Sequence, residues 1–437
     1  MRSLKEETMR RLILVVLACS VFCWPFSPAV AEKPYFFPYV NPFEATVMEM
    51  PPIYVAKLPE KVPTKDFTFK VFPERNIPEV FWYENGLTCS LVYQKEKAPL
   101  VFIIAGTGAR YNSPKMKNLQ RALYMGGFHV ISITSPTHMH FLVNASSTLT
   151  PGNVYEDSKD LYRVMELALE NLPKKIEISE FYLTGYSLGG IQSAFVSKLD
   201  EERKKFNFKK VLLINPPVNL YNSVTILDRL LTENIPGGIG NFQSWFGDVM
   251  NRLAGMEEQM GYFELTGEYI YKVYKRFPPN EDNLAAIVGL SFRMDSANMI
   301  FASDIMHGGG FITPKNAEFT NSTSLTPYAM VAYRTSFPDY FNEYFYPYFQ
   351  KREPGLDKQE FIERLSLRKI EPYLRSSGKI ALLHNADDII MAPGEVDYLQ
   401  QVFGDRAKIY PTGGHCGNMN HPDVVRFIIN YFKGQEG

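Results

Sequence analysis

The 437-residue sequence has little of three things: cysteine, net charge and long apolar runs. Two of its four cysteines fall in the first 23 residues, so only Cys89 and Cys416 belong to the body of the chain. Two cysteines cannot form the disulfide framework that supports small secreted domains, and they provide no metal site. A net charge of −1 argues against a nucleic-acid partner, which would require a basic face. The sequence therefore predicts no metal, no cofactor and no nucleic-acid partner.

The first 31 residues have the pattern of a secretory signal. The basic pair Arg10 and Arg11 precedes the apolar stretch Leu12–Trp24, then Pro25 follows, and the small residues Ala29–Ala31 offer a cleavage site. After residue 31 we find no apolar run long enough to cross a bilayer core about 30 Å thick. We expect export to the periplasm or, alternatively, secretion, with no membrane contact beyond a peripheral one.

Two alternatives to a cleaved signal remain open at this point. An uncut N-terminal anchor is the first, although the apolar stretch is short for a membrane span. A lipoprotein anchored through Cys19 is the second, but the apolar stretch continues beyond that cysteine. The oligomeric state has no signature in the sequence.

Residues 32–65 combine seven prolines with Tyr35, Phe36, Phe37, Tyr39 and Phe43. Proline at this density indicates extended chain rather than helix. Disordered linkers are poor in aromatic residues. We therefore predict a strap that lies along the folded body.

Apolar strand patterns then alternate with helical patterns. We predict strands at 66–72, 87–93, 100–105, 129–134, 181–184, 211–214, 380–384 and 407–410, and helices at 119–125, 155–172, 188–199, 394–403 and 424–432. Such alternation predicts an α/β fold, with a mostly parallel sheet and helices on both faces. Its core comprises residues 66–220 and 379–437. The interval 221–378 is too long for a simple crossover. Because it is helical in pattern and rich in aromatics and methionine, we predict an inserted cap.

The segment Phe181–Gly190 contains the clearest chemical motif, Gly185-Tyr-Ser187-Leu-Gly189, between a strand and a helix. A serine there sits at the tip of a sharp, strained turn, and small residues two positions before and after it avoid clashes. The helix N-terminus also helps to stabilise negative charge as it develops. A turn with a capping serine is the structural alternative.

With this motif, the chain resembles the α/β-hydrolases, in which the nucleophile is followed in sequence by an acid and then a histidine. The resemblance covers about 66–220 and 379–437 and implies that Ser187 is the nucleophile. It also places the base at His415, in a glycine-rich loop before the last helix; His421 is its nearest rival. Cys416 is then a small buried neighbour of the base rather than a nucleophile.

The acid of the resemblance follows strand 380–384, in the segment His384–Ile390. Asn385 takes the position that is usually glycine in the family, and this alignment selects Asp388, with Asp387 as the alternative. The resemblance implies that the oxyanion hole consists of two backbone N–H groups, those of Leu188 and Thr107. His307–Gly310 spells a similar oxyanion motif, but it falls inside the cap, so we interpret it as a flexible cap loop or hinge.

This set of residues predicts acyl transfer to water through an acyl-enzyme and leaves the acyl group open. The aromatic and methionine-rich cap favours a carboxylic ester, including lipid-derived esters, as the small-molecule substrate. A peptidase or amidase of the same fold is the first alternative. A non-catalytic envelope protein that retains the fold for binding is the second.

Overall fold

A computed structural model of the protein describes residues 34–48, 50–249, 251 and 281–435. The predicted signal, 1–31, lies outside the described residues, as does part of the predicted cap. The chain divides into two compact units, Met1–Phe36 and Phe37–Gly437. In the first unit, described residues 34–36 form neither helix nor strand. The sheet, the helices and the candidate site all belong to the second unit.

The described part of the second unit contains one eight-stranded sheet with strand order β1-β2-β4-β3-β5-β6-β7-β8. The strands are β1 (Thr64–Phe69), β2 (Leu87–Val92), β3 (Ala98–Ile104), β4 (His129–Ile133), β5 (Ile178–Tyr186), β6 (Lys210–Ile214), β7 (Ile380–Asn385) and β8 (Ala407–Tyr410). β2 runs antiparallel to both of its neighbours, and the other adjacent pairs are parallel. This order and these directions are those of the α/β-hydrolase fold, so the predicted fold class is confirmed.

Helices flank the sheet and fill the interval between β6 and β7. They are α1 (Pro42–Val47), α2 (Pro114–Met125), α3 (Met139–Ala145), α4 (Val154–Glu170), α5 (Leu188–Arg203), α6 (Leu220–Asn234), α7 (Glu281–His307), α8 (Thr326–Arg334), α9 (Phe337–Tyr340), α10 (Tyr346–Arg352), α11 (Lys358–Arg364), α12 (Glu371–Ser376), α13 (Glu395–Phe403) and α14 (Pro422–Lys433). A π-helical turn, Phe341–Phe345, joins α9 to α10. The described interval between β6 and β7 adds no strand to the sheet, as a helical cap requires.

The expectation of extended chain throughout 32–65 is wrong at α1. Asn41 caps this helix by accepting hydrogen bonds from the N–H groups of Phe43 and Glu44, at 2.8 and 3.3 Å. Pro42 occupies the first helical position, where its missing N–H costs nothing and its fixed φ favours the helix. The proline that argued against a helix is therefore the residue that starts one.

Among the described residues, α7 is long and apolar enough to span a membrane by length and composition alone. The segment that meets this criterion is Leu284–His307, and 72% of its most apolar window is buried inside the protein. Polar residues such as Arg293, Asp295 and Asp304 interrupt its apolar run. Arg293 is itself buried and donates from Nε to Asp228 Oδ1 of α6 at 3.2 Å, which ties the two helices together. The extent to which α7 is buried is typical of the core helix of a domain, here the predicted cap.

Candidate active site

Ser187 lies at the turn between β5 and α5, in the N-cap position of the helix, but its side chain makes no capping hydrogen bond. Its backbone has φ 56° and ψ −124°, a conformation that is costly for any residue with a side chain. The turn is held because the Ser187 N–H donates to the carbonyl of Ile214, at the end of neighbouring β6, at 2.9 Å. The sharp, strained turn predicted from the motif is therefore present.

The glycines of the motif stand where backbone segments meet. A Cβ on Gly185 would lie 2.2 Å from the carbonyl oxygen of Gly189. A Cβ on Gly189 would lie 2.2 Å from the carbonyl oxygen of Ile104, at the end of β3. Both distances are far inside van der Waals contact with atoms of the backbone, which cannot rotate away. Glycine at these two positions lets α5 start directly against the sheet.

Gly189→Ala is expected to destabilise the fold by about 1–3 kcal/mol, because the added methyl must displace the end of β3. The displacement also moves Ser187, so turnover should fall together with the melting temperature. Gly247→Ala is the matched control, since a Cβ there meets nothing within 4 Å. Thermal unfolding of the three proteins measures the effect; an unchanged melting temperature for Gly189→Ala would contradict the close approach.

His415 lies in the loop between β8 and α14, where its ring reaches both predicted partners. Its Nε2 is 2.8 Å from Ser187 Oγ. Its Nδ1 is 3.0 Å from each carboxylate oxygen of Asp388. The structure thus joins Ser187, His415 and Asp388 in one chain of hydrogen bonds, and these residues are in the order that a nucleophile, a base and an orienting acid require.

The charges of Asp388 and His415 shift each other's pKa. Burial alone would raise the pKa of the Asp388 carboxyl, but the adjacent His415, with further help from His384 and Asn215, brings it below its usual value. Burial alone would lower the pKa of His415, but the Asp388 carboxylate outweighs it and raises that pKa. The pair therefore favours a carboxylate beside a ring that readily accepts a proton.

Asp387, the alternative acid, points elsewhere. Its two carboxylate oxygens accept hydrogen bonds from the N–H groups of Gly413 and Gly414, at 3.1 and 2.9 Å. Burial raises the pKa of this carboxyl, and the two N–H groups partly offset that rise. Asp387 thus supports the backbone of the histidine loop, while Asp388 contacts the histidine ring.

The two residues predicted for the oxyanion hole line one cavity. Thr107 follows β3 and Leu188 is the first residue of α5, and both contribute to the walls. Gly106 brings the first loop close to the nucleophile: a Cβ there would lie 3.2 Å from the Cβ of Ser187. The arrangement places backbone of the β3 loop beside the helix N-terminus, as a site for a developing oxyanion requires.

This cavity lies between the sheet and the cap. Its walls are mainly apolar side chains from α6, α7 and the segment around α9: Leu220, Tyr221, Val224, Phe292, Met299, Ile300, Phe337, Tyr340, Phe341 and Phe345. The buried pair Asp228 and Arg293 also reaches the wall, where the two opposite charges neutralise each other. Part of the aromatic content of the cap therefore lines the same cavity as Leu188, the residue that follows the candidate nucleophile.

Three other histidines lie in structural positions. His140 bonds Glu84 through Nδ1 at 2.5 Å and accepts the Thr88 N–H at 2.9 Å through Nε2. His421 caps α14 by accepting the Asp423 N–H. His307 contacts Thr150 Oγ1 at 2.9 Å.

The loop after His307 is firmly held rather than loose. The Asp304 carboxylate accepts the N–H groups of Phe311, Ile312 and Thr313, at 2.8–2.9 Å. The sequence interpretation as a flexible loop overlooked this buried acid at the end of α7.

Two supporting residues were missed from the sequence. Asn215, directly after β6, donates from Nδ2 to Asp388 Oδ2 at 2.8 Å. Thr46, in α1, accepts the His415 N–H at 2.9 Å through Oγ1. Asn215 could have been found from the sequence, because it directly follows a predicted strand and so lies at the same sheet edge as Ser187. No sequence pattern pointed to Thr46, since its segment was predicted to be extended.

Among the described residues, no group of three or more His, Cys, Asp or Glu side chains is arranged to hold a metal ion.

No family model matches the chain, and no curated protein matches it. Among solved structures, an esterase of Pyrococcus furiosus is similar, with 11% identity, a TM-score of 0.40, and coverage of 89% of this chain and 98% of that one. An esterase of Pyrobaculum calidifontis has 14% identity and a TM-score of 0.39, and an esterase of Rhizomucor miehei has 13% and 0.41. Each of these two alignments covers 86% of this chain and 83% of the other. Similarities this weak carry no inference about the reaction.

Proposed function

We propose that the protein is a serine hydrolase that cleaves carboxylic esters through an acyl-enzyme. The observation that carries this proposal is the hydrogen-bonded chain from Ser187 through His415 to Asp388, at 2.8 and 3.0 Å. It begins at a strained turn and lies beside a largely apolar cavity. A hydroxyl is a weak nucleophile by itself and needs a base within this distance.

In the acylation step, Ser187 Oγ attacks the ester carbonyl carbon while His415 Nε2 takes the hydroxyl proton. The carbonyl oxygen becomes an oxyanion, which the N–H groups of Thr107 and Leu188 stabilise at the N-terminus of α5. Asp388 keeps the Nδ1 proton of His415 directed towards itself and stabilises the imidazolium. His415 then donates its proton to the departing alkoxide, which leaves as an alcohol.

The second half of the reaction regenerates the serine. A water molecule attacks the acyl-enzyme while His415 again accepts a proton, and the carboxylic acid is released with Ser187 Oγ reprotonated. His415 thus passes the proton of Ser187 to the departing alcohol and the proton of the water molecule to Ser187, so the protons balance over the cycle without a cofactor.

The cavity favours an apolar acyl group. Apolar walls stabilise such a group by about 25 cal/mol for each Å² they remove from water. Besides the pair of Asp228 and Arg293, the wall includes the carboxylate of Asp295: a Cβ on Gly108 would lie 2.3 Å from its carboxyl carbon. A carboxylate so close to the oxyanion loop is the reason to test cationic substrates as well.

The decisive experiment compares p-nitrophenyl esters of increasing chain length with aminoacyl amides. We expect the esters to be turned over faster, and the best of them to carry an apolar acyl chain of several carbons. Faster turnover of the amides would instead favour a peptidase or amidase. A parent protein that neither hydrolyses any ester nor reacts with a fluorophosphonate would overturn the proposal and leave a binding role.

Val224→Phe is expected to shift the preference towards short acyl chains, because the larger ring projects from the wall and reduces the volume of the cavity. We expect kcat/KM for a decanoyl ester to fall about tenfold, since each methylene excluded from an apolar pocket costs on the order of 1–3 kcal/mol. The acetyl ester should change less than about twofold. Val331→Phe is the control at an exposed position of α8. Equal losses for both chain lengths would show that this wall does not hold the acyl group.

A further inference from the structure

The short helix α1 lies directly against the histidine loop. The backbone N–H of His415 donates to Thr46 Oγ1 at 2.9 Å. The Thr46 hydroxyl donates its own hydrogen to the carbonyl oxygen of Pro42 at 2.7 Å. Because that hydrogen is committed within α1, the lone pairs of the oxygen are oriented to accept the N–H of His415.

Two glycines of the loop allow this close approach. A Cβ on Gly414 would lie 2.4 Å from the carbonyl oxygen of Pro42, and a Cβ on Gly417 would lie 1.7 Å from that of Ala45. Both obstacles are backbone atoms of α1. The loop therefore packs backbone to backbone against this helix and cannot move towards it.

The opposite side of the loop is held equally firmly. Asp387 accepts the N–H groups of Gly413 and Gly414, and Asn385 Nδ2 donates to the Gly414 carbonyl at 2.8 Å. Three consecutive N–H groups thus have assigned acceptors, two on Asp387 and the third on Thr46. The third belongs to His415 itself.

The helix that carries Thr46 is also packed on the cap. Val47 forms a buried cluster with Leu284 and Val288 of α7. Further along the strap, the N–H of Ala56 donates to the carbonyl of Asn420, just after the histidine loop, at 2.8 Å. These contacts fix α1 relative to both the cap and the loop.

We propose that Thr46 is a positioning residue for His415. This inference rests on the proposed function, because it assigns a role in placing the base of that reaction. By fixing the backbone nitrogen of His415, Thr46 sets the ring at 2.8 Å from Ser187 Oγ and 3.0 Å from Asp388. It does not line the cavity, so it acts on the chemical step rather than on substrate binding.

The test compares Thr46→Val, which keeps the shape and removes the acceptor, with Thr46→Ser, which keeps the acceptor. For Thr46→Val we expect kcat on a p-nitrophenyl ester to fall on the order of tenfold, because small displacements of catalytic groups cost this much or more. KM should stay within about twofold. Thr46→Ser should recover at least about half of the parent kcat, a rescue that lost packing alone would not produce.

Thr232→Val is the matched control. The Thr232 hydroxyl makes the same kind of bond four residues back, to the Asp228 carbonyl, at 3.3 Å. We expect its kcat to stay within about twofold of the parent. Thermal unfolding checks that each variant is folded, and Thr46→Ala replaces Thr46→Val if the latter is not.

The outcomes separate this inference from the proposed function. An active parent with Thr46→Val at the parent kcat would overturn the inference alone. So would a Thr46→Ser variant as impaired as Thr46→Val, or a loss confined to KM. An inert parent would overturn the proposed function, and the inference with it.

Discussion

Replacing Ser187 by alanine is expected to lower kcat on any ester substrate by on the order of 10⁴- to 10⁶-fold. The variant lacks the oxygen that forms the acyl-enzyme, so no covalent intermediate can accumulate. For the same reason a fluorophosphonate, which reacts with an activated serine, should label the parent and leave Ser187→Ala unlabelled. The oxyanion N–H groups and the cavity remain, and these account for any residual rate above water.

Ser197→Ala provides the matched control, since Ser197 lies in the same helix, α5, and its hydroxyl bonds Tyr373 at 2.8 Å. It should label and turn over like the parent. Intact mass spectrometry after labelling gives the stoichiometry, and peptide mapping gives the site. Label on another serine, or parental turnover by Ser187→Ala, would refute the assignment of the nucleophile.

Asp388→Asn is expected to reduce kcat by on the order of 10³- to 10⁴-fold while leaving the shape of the site unchanged. An asparagine amide can donate to Nδ1 of His415, which favours the tautomer that leaves Nε2 carrying the proton. In that tautomer Nε2 cannot accept the proton of Ser187. Asp387→Asn is the informative comparison, because that carboxylate contacts the N–H groups of Gly413 and Gly414 instead of the ring. Its loss should be smaller, and a larger loss than for Asp388→Asn would reverse the two assignments.

The same pair predicts a pH dependence. The carboxylate of Asp388 stabilises the protonated ring and so raises the pKa of His415. The base works only as the neutral ring, so kcat/KM should fall as the pH drops through that pKa, above the usual histidine value of about 6.5. In Asp388→Asn the stabilising charge is gone, and the midpoint of this acidic limb should move to lower pH. A midpoint that stays in place would mean that another group controls the limb.

The core of the fold could be predicted from the sequence because its signals are local. Strand β3, for example, contains the continuous apolar run 100–105, which is the pattern of a strand buried on both faces. The turn at Ser187 was predictable for a similar reason, since its glycines are demanded by the turn itself. Asp388, in contrast, was selected through the resemblance to the α/β-hydrolases, and the structure places it against His415.

The supports of the site could not be predicted, because they depend on contacts between distant segments. Thr46 and His415 are 369 positions apart, and nothing near either residue indicates the other. The helix that carries Thr46 was missed because its proline, Pro42, was taken as evidence against a helix. Pro42 occupies the first helical position, where proline is favourable. Similarly, the walls of the cavity come from helices whose packing is set by tertiary contacts rather than by their own patterns. Composition could therefore suggest an apolar cap but could not identify the side chains that line the cavity.

The contact between α1 and the histidine loop also has a consequence for the order of folding. Closing a loop of 369 residues has an entropic cost that must be met before its contacts contribute any stability. The neighbouring strands β3, β4 and β5 are much closer in sequence, so the sheet can assemble first. We therefore expect refolding to restore the sheet before the active site. Recovery of fluorophosphonate labelling should lag behind recovery of far-ultraviolet circular dichroism, which makes docking of the strap the last step towards a working enzyme.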